Sequence, residues 1–189
     1  GITRGGLEVG SFASLPAKTG LGSSSSFSVA LMKGLYAFLG KELTKQEAAE
    51  LACRLEIDLL KEPIGKQDQY AAAFGGFNIF QFHSNGQVET EPVFIDFKKS
   101  LLLQSHLLLF FTGISRSASS VLGEQRDKIY SNLETYKKMS DSVFEFKEKL
   151  LAGDMRGIAN MLYRGWEQKK SLGSKISNSV IDEFFTEGL

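Results

Sequence analysis

The chain has little that would point to a disulfide scaffold or a nucleic-acid surface. Its 189 residues contain one cysteine, and 22 Lys plus Arg balance 22 Asp plus Glu. A single cysteine, Cys53, excludes an internal disulfide framework and indicates a cytoplasmic setting. Zero net charge argues against binding to nucleic acid or to an anionic membrane. We therefore expect a cytoplasmic protein with no nucleic-acid partner and no membrane partner.

Long apolar runs and histidine clusters are also missing. No apolar segment approaches the ~20 residues that span a bilayer, and no secretory signal is visible. The two histidines, His83 and His106, have no acidic or cysteine neighbours at metal-ligand spacing. We therefore assign neither histidine a role.

The sequence does contain a glycine- and serine-rich stretch, residues 15–28, which reads LPAKTGLGSSSSFS. It follows a predicted strand at residues 7–12 and opens a predicted helix. Gly20 and Gly22 let backbone N–H groups approach an anion, and a helix N-terminus carries roughly half a positive charge. The serine hydroxyls suit either capping of the helix or contact with a phosphate-bound metal ion. From this loop alone, phosphate binding and a plain serine-capped helix are equally good interpretations.

Three better-known loops do not fit this stretch. Ala17, not glycine, precedes Lys18-Thr19, which excludes a Walker A loop. Ser25 stands where a dinucleotide-binding turn needs its third glycine. Ser26 stands where a nucleophile elbow needs its last glycine.

The order of predicted elements is typical of an α+β layout with segregated helices. The first helix is apolar on most sides, so we expect it to lie inside the domain. The returning strand of the hairpin contains Pro92 and is expected to be an edge. The predicted elements are helices at 23–39, 44–60 and 66–74, a hairpin at 77–97, a doubly covered strand at 107–111, and helices from 118 onwards.

Two carboxylates, Glu56 and Asp68, occupy positions that suit a metal ligand or a catalytic residue. Glu56 sits beside the apolar stripe of its helix, either as a rim charge or as a metal ligand. Asp68 lies in the first turn of the short helix that follows Pro63-Ile64-Gly65. From the residues alone, an acid favoured by the helix dipole is the preferred interpretation; the alternative is a carboxylate that orients or deprotonates an acceptor hydroxyl.

Three motifs together resemble the GHMP kinases, the superfamily of galactokinase, homoserine kinase, mevalonate kinase and phosphomevalonate kinase. PAKTGLGSSSS resembles the second signature of that superfamily. EPIGKQDQYAAAFGG and LLLFFTGISRSAS resemble one branch, the D-glycero-D-manno-heptose 7-phosphate kinases. The resemblance implies the GHMP kinase fold, with two α/β layers, a left-handed βαβ phosphate-loop domain and a helix-rich C-terminal domain.

The resemblance also implies a function and a set of site residues. The function is ATP-dependent transfer of the γ-phosphoryl group, with Mg²⁺, to the anomeric hydroxyl of a heptose 7-phosphate, in the synthesis of nucleotide-activated heptose. Asp68 would be catalytic, and Ser24 and Glu56 would bind the metal. The ATP-binding residues would be Pro16, Gly20, Leu21, Gly22, Ser23, Ser24, Ser25 and Ser26. The acceptor-binding residues would be Gly75, Gly76, Thr112 and Arg116.

Several points stay open at this stage. The alternatives are another GHMP kinase, galactokinase-like or mevalonate-type, or a catalytically silent GHMP-fold sensor of sugar and nucleotide. From the residues alone, Arg116 is either a phosphate clamp or a surface arginine. Many family members have glycine where this chain has Lys18. If that position needs a positive φ, the lysine is strained; alternatively, it adds a cation near the phosphates. A homodimer is left open.

The first and third family signatures are absent from the sequence. We therefore expect the chain to be the middle of a longer enzyme, truncated at both ends and with little kinase activity by itself. Residues 1–100 would belong to the N-terminal ATP-binding domain and residues 101–189 to the C-terminal domain, with the break near residues 97–107.

Overall fold

Helices make up most of the chain that the computed structural model describes, which is residues 6–12, 14, 20–113 and 118–188. In chain order the elements are α1 Ser23–Phe38, α2 Lys45–Cys53, a π-helical turn Arg54–Leu59, α3 Gln67–Phe74, β1 Asn78–Phe82, β2 Val88–Pro92, α4 Phe97–Ser105, α5 Ala118–Asp127, a 3₁₀ turn Tyr130–Asn132, α6 Leu133–Ala152, α7 Met155–Ser171 and α8 Ser179–Glu187. The two strands pair with each other in one small sheet. The layout agrees with the predicted α+β class.

The chain divides into two compact units. They are Gly1–Val88 with Ser115–Ser119, and Glu89–Ile114 with Ser120–Leu189. Helix α4 occupies the segment where we placed the break between family domains. The division at residue 100 stays a prediction. Within the described ranges, no helix has both the length and the apolar character needed to cross a membrane.

The first unit is built on three helices packed through small side chains. Helix α2 begins at a capping box: Thr44 accepts from the N–H of Glu47, and the Glu47 carboxylate accepts from the N–H of Thr44. Alanines let α1, α2 and α3 approach closely around Val29 and Tyr70. The buried cluster comprises Val29, Ala48, Ala49, Ala52, Cys53, Tyr70 and Ala73. Burial raises the pKa of the Cys53 thiol to about 11, which suits inert packing.

The predicted hairpin is confirmed and adds aromatic cover to this core. Its turn at 84–86 contains Gly86 with φ +89°, and the N–H of His83 donates to the carbonyl of Gln87 at 2.9 Å. Tyr70 meets the rings of Phe80 and Phe82 edge-on, with centroids 5.9 and 5.7 Å apart. The hairpin therefore fixes α3, the helix that carries Asp68.

In the second unit, α6 and α7 form a helical hairpin around a tight turn. Gly153 ends α6 with φ +74°, and the Asp154 carboxylate caps α7 by accepting from the N–H of Gly157 at 2.8 Å. A methyl group at Gly157 would overlap that carboxylate, so the capped turn requires glycine there. The core of this unit includes Leu103, Leu150, Ile158, Met161, Leu172 and Ile176.

Two predicted strands are wrong. Residues 7–12 and residues 107–111 have no strand structure, and Leu7, Val9, Phe12 and the whole 107–111 run are exposed. A strand is stable only when a neighbouring strand takes up its backbone hydrogen bonds. The described residues offer these segments no partner. The left-handed crossover that the resemblance implies therefore has no counterpart ahead of α1 in the described residues.

The expectation that α1 is buried on most sides is also wrong. The buried residues of α1 are Ser25, Ser28 and Val29, while Phe27 and Phe38 are exposed. Helices α2 and α3 pack against one face of α1. The core therefore covers α1 at Val29 and leaves Phe27 and Phe38 exposed.

A single carboxylate ties α5 to the turn before α8. Glu124 accepts from Lys128 Nζ at 2.8 Å and from the N–H of Ser174 at 3.0 Å. The hydrogen bonds from Lys128 and Ser174 lower the pKa of Glu124 from 4.5 to about 2. The stability that the ionised Glu124 carboxylate contributes to the fold is therefore complete above about pH 4.5 and is lost as the pH falls toward 2.

We predict that Glu124→Gln lowers the free energy of unfolding at pH 7, and that this difference shrinks as the pH falls from about 5 to about 2. Urea unfolding at a series of pH values measures it. Glu134→Gln is the control, because its exposed carboxylate lies 3.6 Å from Lys138 and contributes little. A difference between the wild type and the Glu124→Gln variant that stays constant with pH would contradict the prediction.

Candidate active site

The N-terminal tip of α1 is open to an anion. Its N-cap residue, Gly22, has the left-handed φ of +66°, and no side chain caps the helix. The first helical bond runs from the N–H of Ser26 to the carbonyl of Gly22, at 2.9 Å. The N–H groups before Ser26 have no acceptor within the helix. Such a tip favours phosphate through both its donors and its dipole.

The serine hydroxyls do not cap this tip, so that part of the sequence interpretation is wrong. Ser24 Oγ donates to Oε1 of Glu56, and Ser25 Oγ donates to Oε2 of Glu56 at 3.0 Å. A carboxylate is a stronger acceptor than a backbone carbonyl and draws the hydroxyls away from the helix end. The serines thereby join α1 to the π-helical turn and leave the amides available.

Glu56 is buried, with 1% of its surface exposed, so the rim-charge interpretation is wrong. The π-helical turn that carries it adds a residue to the helical repeat and changes which side chains face the core. Leu59, which a continuous α-helix would bury with Ala52, is 66% exposed. Because of this turn, the Glu56 carboxylate faces α1 and Leu59 does not.

Gln69 completes the environment of Glu56. Its side chain is fully buried, and its Nε2 donates to Oε2 of Glu56 at 2.5 Å. The sequence analysis gave this residue no role. The available signal was its place beside Tyr70 and four residues before Ala73, on the buried face of α3, where a polar side chain needs a partner.

Asp68 lies beside the tip of α1. A methyl group built at Gly22 would stand 3.7 Å from Oδ2 of Asp68. The carboxylate is exposed, in the first turn of α3. The fold therefore brings Gly22, Ser24, Glu56 and Asp68 together from three separate segments of the first unit.

Other predicted site residues lie elsewhere or outside the described ranges. Gly75 and Gly76 follow the far end of α3, roughly 10 Å along its axis from Asp68. Both have positive φ, and the N–H of Gly75 donates to the carbonyl of Ala71, so Gly75 ends the helix. Thr112 belongs to the second unit. The residues Pro16, Lys18 and Arg116 lie outside the described residues.

The oxygen groups around Glu56 fit a magnesium ion. The Ser24 hydroxyl and the Glu56 carboxylate are in contact, so one ion can reach both. Mg²⁺ is typically held by one or two carboxylates together with substrate phosphates. Within the described residues, Glu56 forms no ion pair with lysine or arginine and no group of three metal-binding side chains occurs. Among the described residues, the buried carboxylate therefore has hydrogen-bond donors but no cationic partner.

Comparison with known proteins finds a family match over the segment that carries these residues. Residues 2–76 match the family model described as GHMP kinases N terminal domain. This part of the chain is a GHMP kinase N-terminal domain. The match covers α1, the π-helical turn and α3, and so contains Gly22, Glu56 and Asp68.

Relatives extend the similarity to both units. D-glycero-alpha-D-manno-heptose 7-phosphate kinase of Campylobacter jejuni is 31% identical over 176 residues, 92% of this chain and 52% of that protein. Galactokinase of Thermococcus kodakarensis is 31% identical over 155 residues, 79% of this chain and 42% of that protein. The chain spans about half the length of the first curated relative.

A solved structure confirms the fold. The crystal structure of a D-glycero-D-manno-heptose 1-phosphate kinase from Bacteroides thetaiotaomicron superposes with a TM-score of 0.69 at 35% sequence identity. The likeness covers 82% of this chain and 45% of that one. The chain therefore has the GHMP kinase fold, as the resemblance implied.

We predict that Gly22→Ala weakens binding of inorganic triphosphate about tenfold, since its methyl group would stand 3.7 Å from Oδ2 of Asp68, in space that a phosphate oxygen would need. Titration calorimetry at low ionic strength measures the change. Gly20→Ala is the matched control for backbone strain, because Gly20 has φ +77° but open space around it, and it should lose less affinity than Gly22→Ala. Equal losses in both variants would mean that the gap beside Asp68 is unimportant.

Proposed function

We propose that this chain supplies the phosphate-binding and catalytic groups of an ATP-dependent sugar kinase. The observation that supports it most directly is the position of Asp68 beside the uncapped tip of α1. The tip suits the phosphates of ATP, and the neighbouring carboxylate suits the incoming hydroxyl. Each feature alone is common, whereas their juxtaposition is what phosphoryl transfer requires.

Each residue has a defined task in this proposal. The amides at the start of α1 hold phosphate oxygens, with Gly20, Leu21 and Gly22 shaping the approach. Asp68 accepts the proton of the acceptor hydroxyl as its oxygen bonds to the γ-phosphorus. The bond from that phosphorus to the bridging oxygen breaks, and ADP leaves. Ser24 and Glu56 would hold Mg²⁺, which when bound neutralises charge on the transferring phosphoryl group.

The acceptor that we propose is a heptose 7-phosphate, phosphorylated at its anomeric hydroxyl. The named heptose kinases at 31% and 35% identity support a sugar phosphate over mevalonate or homoserine. Their names differ in the position of the phosphate, position 7 in one and position 1 in the other. Gly75, Gly76, Thr112 and Arg116 remain our candidates for contacts with the acceptor.

We predict that Asp68→Asn lowers kcat about 10²–10⁴-fold, because the amide cannot accept the hydroxyl proton. The affinity for Mg-ATP should change less than about threefold, since Asp68 does not hold the phosphates. Coupled ADP-release kinetics and calorimetry measure the two quantities. The assay uses the longest polypeptide that the gene encodes, alongside the 189-residue chain.

Asp58→Asn is the matched control, because Asp58 is an exposed aspartate on the adjacent π-helical turn. It should retain normal turnover. Near-normal kcat in the Asp68→Asn variant would remove Asp68 from its role. Tight Mg-ATP and sugar binding without any product in the unmodified protein would favour a silent sensor instead.

A second prediction concerns the acceptor. In a panel with Mg-ATP, kcat/KM should be highest for D-glycero-D-manno-heptose 7-phosphate, with the new phosphate at the anomeric carbon as identified by ³¹P NMR. Heptose 1-phosphate tests the alternative position, and galactose tests the need for an existing phosphate. Preference for galactose, mevalonate or homoserine would contradict the proposed acceptor.

A further inference from the structure

The two oxygens of Glu56 have different surroundings. Oε1 accepts from Ser24, an exposed residue at the helix tip. Oε2 accepts from Ser25 and Gln69, both buried, at 3.0 and 2.5 Å. One oxygen is therefore enclosed by protein donors, while the other lies on the side of the open tip.

The amide of Gln69 can face Glu56 in only one orientation. A carboxylate only accepts hydrogen bonds, so Nε2 must point to Oε2 and the amide oxygen must point away. That amide oxygen, Oε1 of Gln69, is buried and has no hydrogen-bond partner among the described residues. An unpartnered buried acceptor is costly to stability. The need of the buried Glu56 carboxylate for an N–H donor explains why glutamine occupies this position.

Gln69 also connects two candidate functional groups. It follows Asp68 in the first turns of α3 and reaches the π-helical turn that carries Glu56. A shift of α3 relative to α1 would therefore move Asp68 and, at the same time, weaken the hydrogen bond from Gln69 to Glu56. The hydrogen bond therefore keeps the two carboxylates in a fixed relation.

We propose that Gln69 is a positioning residue for the metal ligand. Together with Ser25, it occupies Oε2 of Glu56, so that Oε1 is the oxygen presented, beside the Ser24 hydroxyl, to Mg²⁺ of the nucleotide complex. Ser25 then acts through Glu56, and its hydroxyl does not touch phosphate. This inference rests on the proposed function, and it adds the residues that orient Glu56.

The test measures ATP affinity by calorimetry in excess Mg²⁺ and in EDTA. Gln69→Met keeps the volume but removes the donor, and should reduce the Mg²⁺-dependent gain in affinity about 10–100-fold while the affinity in EDTA is unchanged. Gln67→Met is the matched control, because Gln67 is an exposed glutamine on the same helix. It should match the wild type in both conditions.

Gln69→Glu gives a readout that a purely structural role would not produce. A protonated glutamic acid can donate to Oε2 of Glu56, but two ionised carboxylates at this distance repel. The Mg²⁺-dependent gain should therefore be near normal at about pH 5 and fall at least tenfold by about pH 8, relative to wild type. The nearby groups Asp68, Lys66, Cys53, Glu50 and Asp58 are the same in every variant, and Gln67→Glu controls for added charge.

The outcomes separate the two proposals. Wild-type protein without Mg²⁺-dependent ATP binding would overturn the proposed function and this inference with it. Normal Mg²⁺ dependence in Gln69→Met, or an equal loss in EDTA, would overturn the inference alone. If the Gln69→Met variant does not fold, a flat pH profile for Gln69→Glu relative to wild type would overturn it.

Discussion

The site depends on a carboxylate buried between helices. Burial of an ionised group is costly unless hydrogen bonds replace the lost water, and Glu56 receives three, from Ser24, Ser25 and Gln69. Two of these donors belong to α1 and one to α3. Because the charge is satisfied only when all three segments meet, Glu56 specifies how the tip of α1 lies against the first turn of α3. The place of Asp68 follows from that arrangement.

How much of this was visible in the sequence depends on the range of the interactions. The capping box at Thr44, the hairpin turn and the limits of α3 were predicted closely, because residues three or four positions apart decide them. The strands expected at 7–12 and 107–111 did not form. Their backbone groups need a distant partner, and an apolar run cannot reveal whether one is present.

The site shows the same limit. Gly22 and Asp68 were predicted as site residues from their local context of turn and helix start, with the family resemblance deciding between two interpretations of Asp68. The redirection of the serines from the helix end to Glu56 was missed, because it requires contact between residues more than 30 positions apart. Gln69 was missed because a glutamine on a buried helix face gains meaning only when its acceptor is known. The spacing of apolar residues in the sequence does not indicate the π-helical turn that buries Glu56.

The proposed Mg²⁺ ion would also change the electrostatics at the tip of α1. A bound triphosphate would lie beside Asp68 and near Glu56, and unit charges about 4 Å apart repel by roughly 4 kcal/mol at an effective dielectric constant of 20. The helix dipole offsets at most about 2 kcal/mol of such repulsion. Within the described residues, neither Asp68 nor Glu56 forms an ion pair with a lysine or an arginine. In the proposed function, a divalent cation held by Ser24 and Oε1 of Glu56 would offset the rest of this repulsion, so that phosphate and Asp68 could lie close together.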